Sequence, residues 1–252
     1  FRFLPENGVA VVNLDDGRIR RLAETIRRRR ITFGAGKDAD VSAGNIRHGE
    51  DRNVRFHLRI QGIGMDLTLP VAGEHNVYNA LAAAASCSVL GADIEQIRRG
   101  LADFKPVAGR MSIVRLKNGA CVIDDTYNAG PDSMKAALDV LAATEGKRRI
   151  AVLADILELG SFLEEGHRSV GRYVAETDPD VLIAVGVHAE YYALGAEEAG
   201  FGGELIRCGN KEEAMAFLSR EIRSGDVILV KGSNATGVAD IARQIRRRGK
   251  PE

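Results

Sequence analysis

Short apolar runs followed by amphipathic stretches dominate the second half of the chain. RIAVLAD (149–155), VLIAVG (181–186) and VILVKG (227–232) are near-continuous hydrophobic runs of strand length. Such runs suit strands buried on both faces, and the stretches between them carry apolar residues at helical spacing. The pattern predicts strands over 111–116 and 120–124, joined by the tight-turn sequence Lys-Asn-Gly, then a helix over 131–144 and a strand over 149–154. It continues with helix 164–176, strand 181–186, helix 188–199, strand 204–207, helix 211–223, strand 226–231 and helix 236–248. Alternation of this kind implies the α/β class, with a parallel sheet covered on both sides.

The first half has a mixed texture. Gly8–Leu14 reads as a buried strand, Arg18–Arg30 as a helix ending in a solvated run of arginines, and Ile31–Phe33 as a strand. Residues 41–71 alternate irregularly between Gly, Asn and Asp interruptions, as in a meander of short strands. Glu74–Leu90 is strongly helical in propensity, Gly91 closes it, and Ile94–Leu101 gives a further short helix. A boundary is expected near Lys105-Pro106, where the helical stretch ends and a new β unit begins, dividing the chain into 1–106 and 107–252. A length of 252 residues suits about two domains.

Composition narrows the function classes. Lys+Arg and Asp+Glu both number 35, so no net field is available to hold a polyanion, and aromatics are only 5% with no Trp to stack bases. Nucleic-acid binding is therefore not expected. No apolar run approaches the roughly 20 residues of a membrane span. The start lacks an apolar run with a cleavage site, so no secretory signal is expected, and it lacks Met, so the chain is expected to begin inside a longer protein. Cys87, Cys121 and Cys208 are odd in number and form no C-x-x-C pair, which favours free thiols in a reducing cytoplasm.

Familiar phosphate motifs are missing. Phe33–Lys37 (FGAGK) lacks the spacing of a Walker loop and is followed by Asp38, without the hydroxyl that would ligate magnesium. No G-x-G-x-x-G follows a strand, and neither H-E-x-x-H nor G-x-S-x-G occurs.

Four constellations remain. In GEHNVYNA (73–80), Asn76 and Asn79 share a helix face, and their amides suit a purine edge; Asn76 also reads simply as a helix cap. Gly109-Arg110 offers a guanidinium fork on a glycine hinge for phosphate, or a surface arginine in a linker. DDTYNAGPDSM (124–134) puts two carboxylates at a strand's carboxyl end, where open α/β sheets bind ligands, with Asp132 in a helix first turn. The adjacent charges of Asp124 and Asp125 require partners. DILELG (155–160) also follows a strand, with His167 beyond it, which alone reads as a surface helix residue. Lys231 and Ser233 reach the same edge, a cation and a hydroxyl suited to a substrate carboxylate.

Taken together these residues resemble the Mur ligases, the ATP-dependent amide-forming family of cell-wall synthesis. The likeness runs from Leu4-Pro5-Glu6-Asn7-Gly8 and Asn13-Leu14-Asp15-Asp16 to Lys231-Gly232-Ser233, and its specific parts are GEHNVYNALAA, Gly109-Arg110, DDTYNAGPDSM, ADILELG with His167, and VKGS. DDTYNA and ADILELG are similar to the branch that joins D-alanyl-D-alanine to UDP-MurNAc-tripeptide. A folylpolyglutamate-type ligase and a standalone ligand-binding module are the alternatives.

The resemblance implies three domains, of which this chain would hold the back of the P-loop-type ATPase without its P-loop and a complete, Rossmann-like C-terminal domain with an open parallel sheet. It implies ATP and Mg2+, with the main metal ligands in the part not present, and a cytoplasmic enzyme that is inactive as this piece alone. By motif, His75, Asn76 and Asn79 would lie at the adenine and Arg110 at the phosphates. Asp125 would sit at the ribose with Tyr127 and Asn128 nearby, and Asp155, Glu158, Lys231 and Ser233 would line the dipeptide side. Three residues depart from the branch: Gly130 where Asn is usual, Asn234 where a basic residue is common, and Ala154 in place of Gly.

Overall fold

Five strands and three helices build the first part of the computed structural model, which describes residues 3–36, 38–49, 53–105 and 107–248. The strands are β1 (Val9–Asn13), β2 (Arg29–Gly34), β3 (Val41–His48), β4 (Val54–Ile60) and β5 (Ile63–Leu69), in that spatial order. β1, β2 and β3 are parallel, and β3–β4–β5 run as antiparallel neighbours. β4 alternates strictly: Val54, Phe56, Leu58 and Ile60 are buried between less buried residues. That face packs on α2 (His75–Val89) through Val77, Leu81 and Ala84, and on α3 (Ile94–Ala102) through Ile97. A reciprocal Asp93–Gln96 capping box starts α3, satisfying two backbone donors.

The helix α1 (Gly17–Glu24) is shorter than the pattern predicts. Asp16 caps it, its carboxylate accepting from the Arg18 and Ile19 amides at 2.8 Å. Instead of extending the helix, Arg29 and Arg30 open β2, because parallel pairing with β1 from Val9↔Arg29 to Asn13↔Phe33 satisfies their backbone. A cation still meets the helix end: Arg30 donates to the Ala23 carbonyl at 2.6 Å. Lys37 of the FGAGK segment and Pro106 of the expected boundary lie outside the described residues.

The chain divides into two units, residues 1–105 and 106–252. The second contains β6 (Ser112–Arg115), β7 (Cys121–Asp125), α4 (Pro131–Ala143), β8 (Arg148–Ala154), α5 (Leu163–Thr177) and β9 (Val181–Val185). α6 (Ala189–Glu198), β10 (Glu204–Cys208), α7 (Lys211–Glu221), β11 (Asp226–Lys231) and α8 (Ala239–Arg248) complete it. The sheet order is β10-β9-β8-β11-β7-β6, parallel throughout except for β6, which pairs antiparallel with β7. This is the mixed α/β architecture with an open, mostly parallel sheet that the run pattern predicts.

Its strands are buried on both faces. Val122, Ile150, Val152, Ile183, Ile228 and Val230 form one core with Leu218 of α7 and Ile241 and Ile245 of α8. Ile123, Leu153, Leu182 and Leu229, one residue out of phase, point to the opposite face and are equally buried. There α4, α5 and α6 pack side by side. α5 and α6 approach closely because Gly171 and Gly195 carry no side chain: a Cβ at either would come within 2.2 Å of the other helix's backbone, at Tyr192 O and Arg168 O. Among the described residues no helix is long and apolar enough to cross a membrane.

Candidate functional site

The carboxyl ends of β7, β8, β9 and β11 gather most of the polar residues singled out above. The adjacent aspartates closing β7 solve their repulsion by strand alternation. Asp124, buried, accepts from the Thr126 hydroxyl at 2.7 Å and lies 2.7 Å from the Arg246 guanidinium of α8. Asp125 turns the other way and meets Lys231 at 2.5 Å; the two are register partners on neighbouring parallel strands. Lys231 is 2% exposed, and its ammonium also donates to the Asn128 carbonyl at 3.0 Å. The second oxygen of Asp125 accepts from the Met111 amide at 2.9 Å. One ion pair therefore ties together the junction after Arg110, the end of β7 and the end of β11, and Lys231 and Asp125 occupy one place rather than two.

Arg110 is exposed, and its guanidinium carbon sits 3.9 Å above the centre of the Tyr127 ring. The stack holds the cation without a carboxylate, leaving its donor fork open to an anion. Gly109 has φ +74, and its carbonyl accepts from the Tyr127 amide at 2.9 Å. Asn128 is exposed, its side-chain oxygen accepting from the Ala129 amide.

Asp155, at the end of β8, is buried and faces backbone. Its two oxygens accept from the Val187 and His188 amides, each at 3.1 Å, at the entrance to α6. Anionic charge there is favoured by the helix N-terminus. Gly186 makes room: it has φ +115, and a Cβ would lie 2.5 Å from the carboxylate. Ser233 accepts from the Leu157 amide at 2.9 Å, and its own amide donates to the Asp155 carbonyl. Glu158 is exposed with φ +64, a conformation rare for a side chain of its length.

His167 is fully buried, not on the surface. Its Nε2 accepts from the Ile156 amide at 3.0 Å, so Nδ1 carries the proton and donates to the Leu163 carbonyl at 2.7 Å. Burial lowers its pKa from the ordinary histidine range, with His188 adding to the effect and the Leu163 carbonyl and Asp155 opposing it. Tyr192 packs 4.8 Å from its ring, is completely buried and donates to the Ala154 carbonyl; burial pushes its hydroxyl far up.

In the first unit, Asn76 does not cap α2. The cap position is Glu74, and Asn76 reaches back to donate to the Ala72 carbonyl at 2.7 Å. Its oxygen accepts from Asn79 at 3.1 Å, and its amide nitrogen lies 3.2 Å from His75 Nε2. The three side chains expected at an adenine thus form one connected polar set at the start of α2. Tyr78 beside them is hydrogen-bonded to Asp15; burial and that carboxylate raise its pKa.

The departures have modest local effects. Gly130 is the extended residue before α4, and Ser133 supplies the acceptor for its amide. Asn234 is exposed in a 3-10 turn, and the Ala154 methyl stands 2.6 Å from where a Cβ on Gly232 would be. Met111 and Thr126 stand within the Gly109-Arg110-Met111 and DDTYNA motifs but were given no role there. Gly186, directly after a strand, and Arg246 were not singled out at all.

Two family models match: the Mur ligase middle domain over residues 1–87 and the Mur ligase glutamate ligase domain over residues 109–234. The chain is 35% identical over 95% of its length to a UDP-N-acetylmuramoyl-tripeptide–D-alanyl-D-alanine ligase of Mycobacterium tuberculosis, covering 51% of that protein. It is 34% identical over 99% of its length to the Escherichia coli ligase of the same name, covering 54% of it. It therefore spans about half the length of the curated relatives it matches. Among solved structures, MurF from Acinetobacter baumannii superposes with a TM-score of 0.84 at 32% identity, over 98% of this chain and 53% of that one. MurF from Thermotoga maritima, in complex with ADP, superposes at 0.77 with 23% identity, over 96% of this chain and 54% of that one.

Proposed function

The chain belongs to the Mur ligase family, and from that premise we propose that it serves an ATP-dependent amide ligase adding D-alanyl-D-alanine to UDP-MurNAc-tripeptide. The observation that carries the reading is the open guanidinium of Arg110, stacked on Tyr127 near the ion pair of half-buried Asp125 with buried Lys231. In this reading residues 1–106 are the rear of the ATP-binding domain and 107–252 the domain that receives the dipeptide.

ATP supplies the phosphoryl group that turns the tripeptide's terminal carboxylate into an acyl phosphate, which the dipeptide amine converts to an amide. The residues present suit the nucleotide: Asn76, Asn79 and His75 offer donors and acceptors for a purine edge. Arg110 offers a phosphate a fork of donors already held at one angle, the preorganised charge on which phosphoryl transfer depends. Asp125, braced by Lys231 and Met111, fixes the backbone that presents Tyr127 and Asn128 to the ribose. Ser233 and Glu158 are assigned to the dipeptide side; Asp155 shapes that side by holding the start of α6.

In this reading Mg2+ comes with the ATP phosphates and has its main ligands in the part not present. Among the described residues no three His, Cys, Asp or Glu stand together, and no Mg2+ ligand is assigned here. The reading places the protein in the cytoplasm.

The test uses UDP-MurNAc-tripeptide with 18O in its terminal carboxylate and the protein expressed from its whole reading frame. One 18O is expected in the released phosphate, because the carboxylate oxygen leaves with phosphorus. Unlabelled phosphate alongside amide product would overturn the acyl-phosphate route.

A further inference from the structure

The mechanism above leaves His167 unused, although it is fully buried and both its ring nitrogens are engaged. Its two partners, the Ile156 amide and the Leu163 carbonyl, lie at opposite ends of the segment between β8 and α5. That segment contains the positive-φ residues Gly160 (+54), where the conformation is free, and Glu158 (+64), whose side chain makes it one that needs restraint. A second clamp comes from β11, where the Ser233 hydroxyl accepts from the Leu157 amide. A third is steric: Leu159 packs on Gly166, where an added Cβ would come within 2.6 Å of its side chain. Held this way, the segment leaves the Glu158 carboxylate and a partly exposed Leu157 at the carboxyl edge of the sheet.

We propose that His167 is a positioning residue whose ring, accepting at Nε2 and donating at Nδ1, fixes the Leu157–Glu158 corner against which the incoming dipeptide binds. This rests on the reading of that edge as the dipeptide side. The restraint needs an unprotonated Nε2, because an N–H there would face the Ile156 N–H. The charged and titratable groups around the ring are Asp155 at the end of β8, His188 ahead of α6, and Tyr191 and Tyr192 on α6, with ring centroids at 5.5, 6.4 and 4.8 Å for the last three. Asp155 is committed to the Val187 and His188 amides, so it does not reach the ring as a hydrogen-bond partner.

Two conservative variants separate the ring's two functions. A glutamine side chain keeps an acceptor near the Nε2 position, and an asparagine side chain keeps a donor near Nδ1, so His167→Gln and His167→Asn divide the pair of bonds. Amide exchange in the 252-residue chain is read first, at Ile156 and Leu157. His167→Asn is expected to speed exchange at Ile156 roughly tenfold, the effect of one lost hydrogen bond, while His167→Gln stays near wild type. Steady-state kinetics of the protein from its whole reading frame are read second. His167→Asn is expected to raise KM for D-alanyl-D-alanine with KM for ATP unchanged, and His167→Gln to restore it.

Equal exchange at Ile156 in wild type and His167→Asn overturns the restraint. Faster exchange with an unchanged dipeptide KM overturns the link between this corner and the dipeptide. Absence of dipeptide-dependent turnover in the wild-type protein is a different failure, that of the functional reading itself, and leaves the exchange result to judge the restraint alone.

Discussion

Lys231 and Asp125 face each other across neighbouring parallel strands, 2.5 Å apart, with the lysine 2% exposed. The same two side chains also hold the Met111 amide and the Asn128 carbonyl. Removing one partner strands the other charge. Lys231→Met is therefore expected to destabilise the protein by about 3–5 kcal/mol, the range for breaking a buried pair. The double variant Lys231→Met, Asp125→Asn is expected to recover part of that loss. Denaturant unfolding of the singles and the double checks both statements; additive losses would contradict the coupling.

Arg110 offers the opposite case, a residue whose loss leaves the fold alone. It is exposed, and its stack on Tyr127 contributes about 0.5–1 kcal/mol. Arg110→Ala is expected to lower kcat by about 100- to 1,000-fold, in line with loss of a preorganised charge donor, while shifting Tm little. Arg110→Lys is expected to recover only part, because a point charge neither forks nor stacks in the same way. Steady-state kinetics alongside thermal melts separate the two effects.

Gly186 holds the left-handed conformation that lets the Asp155 carboxylate sit over the start of α6. Gly186→Ala places a methyl 2.5 Å from that carboxylate in a backbone conformation alanine rarely takes. A loss of at least about 2 kcal/mol is expected, from strain and displaced hydrogen bonds together. Asp155→Asn is expected to lose less, because its side-chain oxygen still accepts from one amide. Unfolding midpoints at fixed pH measure both.

The buried His167 makes stability depend on pH in one direction. Burial lowers its folded-state pKa, so below the ordinary value of about 6.5 the unfolded chain takes up a proton that the folded protein refuses. This contribution is fully present above that pH and falls as the pH drops through the interval down to the lowered value. His167→Gln does not titrate, and it is expected to remove this part of the slope below about pH 6.5. Denaturant midpoints across that range, wild type against variant, give the comparison; parallel slopes would contradict it.

Much of the fold was legible because both-face burial writes a strand as an unbroken apolar run, as in β8, β9 and β11. The helix over Arg18–Arg30 was not, since a run of arginines has no apolar period and only pairing with β1 assigns Arg29 and Arg30 to a strand. At the site, motif order pointed to Asp125, Arg110, Asp155 and Lys231, yet not to what they touch. Asp125 and Lys231 are 106 residues apart in sequence and meet only through strand order, with β11 inserted between β7 and β8. His167 read as a surface residue because a single histidine in a polar helix shows nothing of the loop that folds over it. Asn76 read as a cap because a cap and a brace to the preceding loop draw on the same amide.

The central proposal is that this chain is the dipeptide-receiving part of an amide ligase. The most direct measurement is the mass of the product made by the protein from its whole reading frame with ATP, UDP-MurNAc-tripeptide and either D-alanyl-D-alanine or glutamate. A product heavier than the tripeptide by the dipeptide less one water, formed only with D-alanyl-D-alanine, is the predicted result. A product that incorporates glutamate while the dipeptide is refused would contradict it.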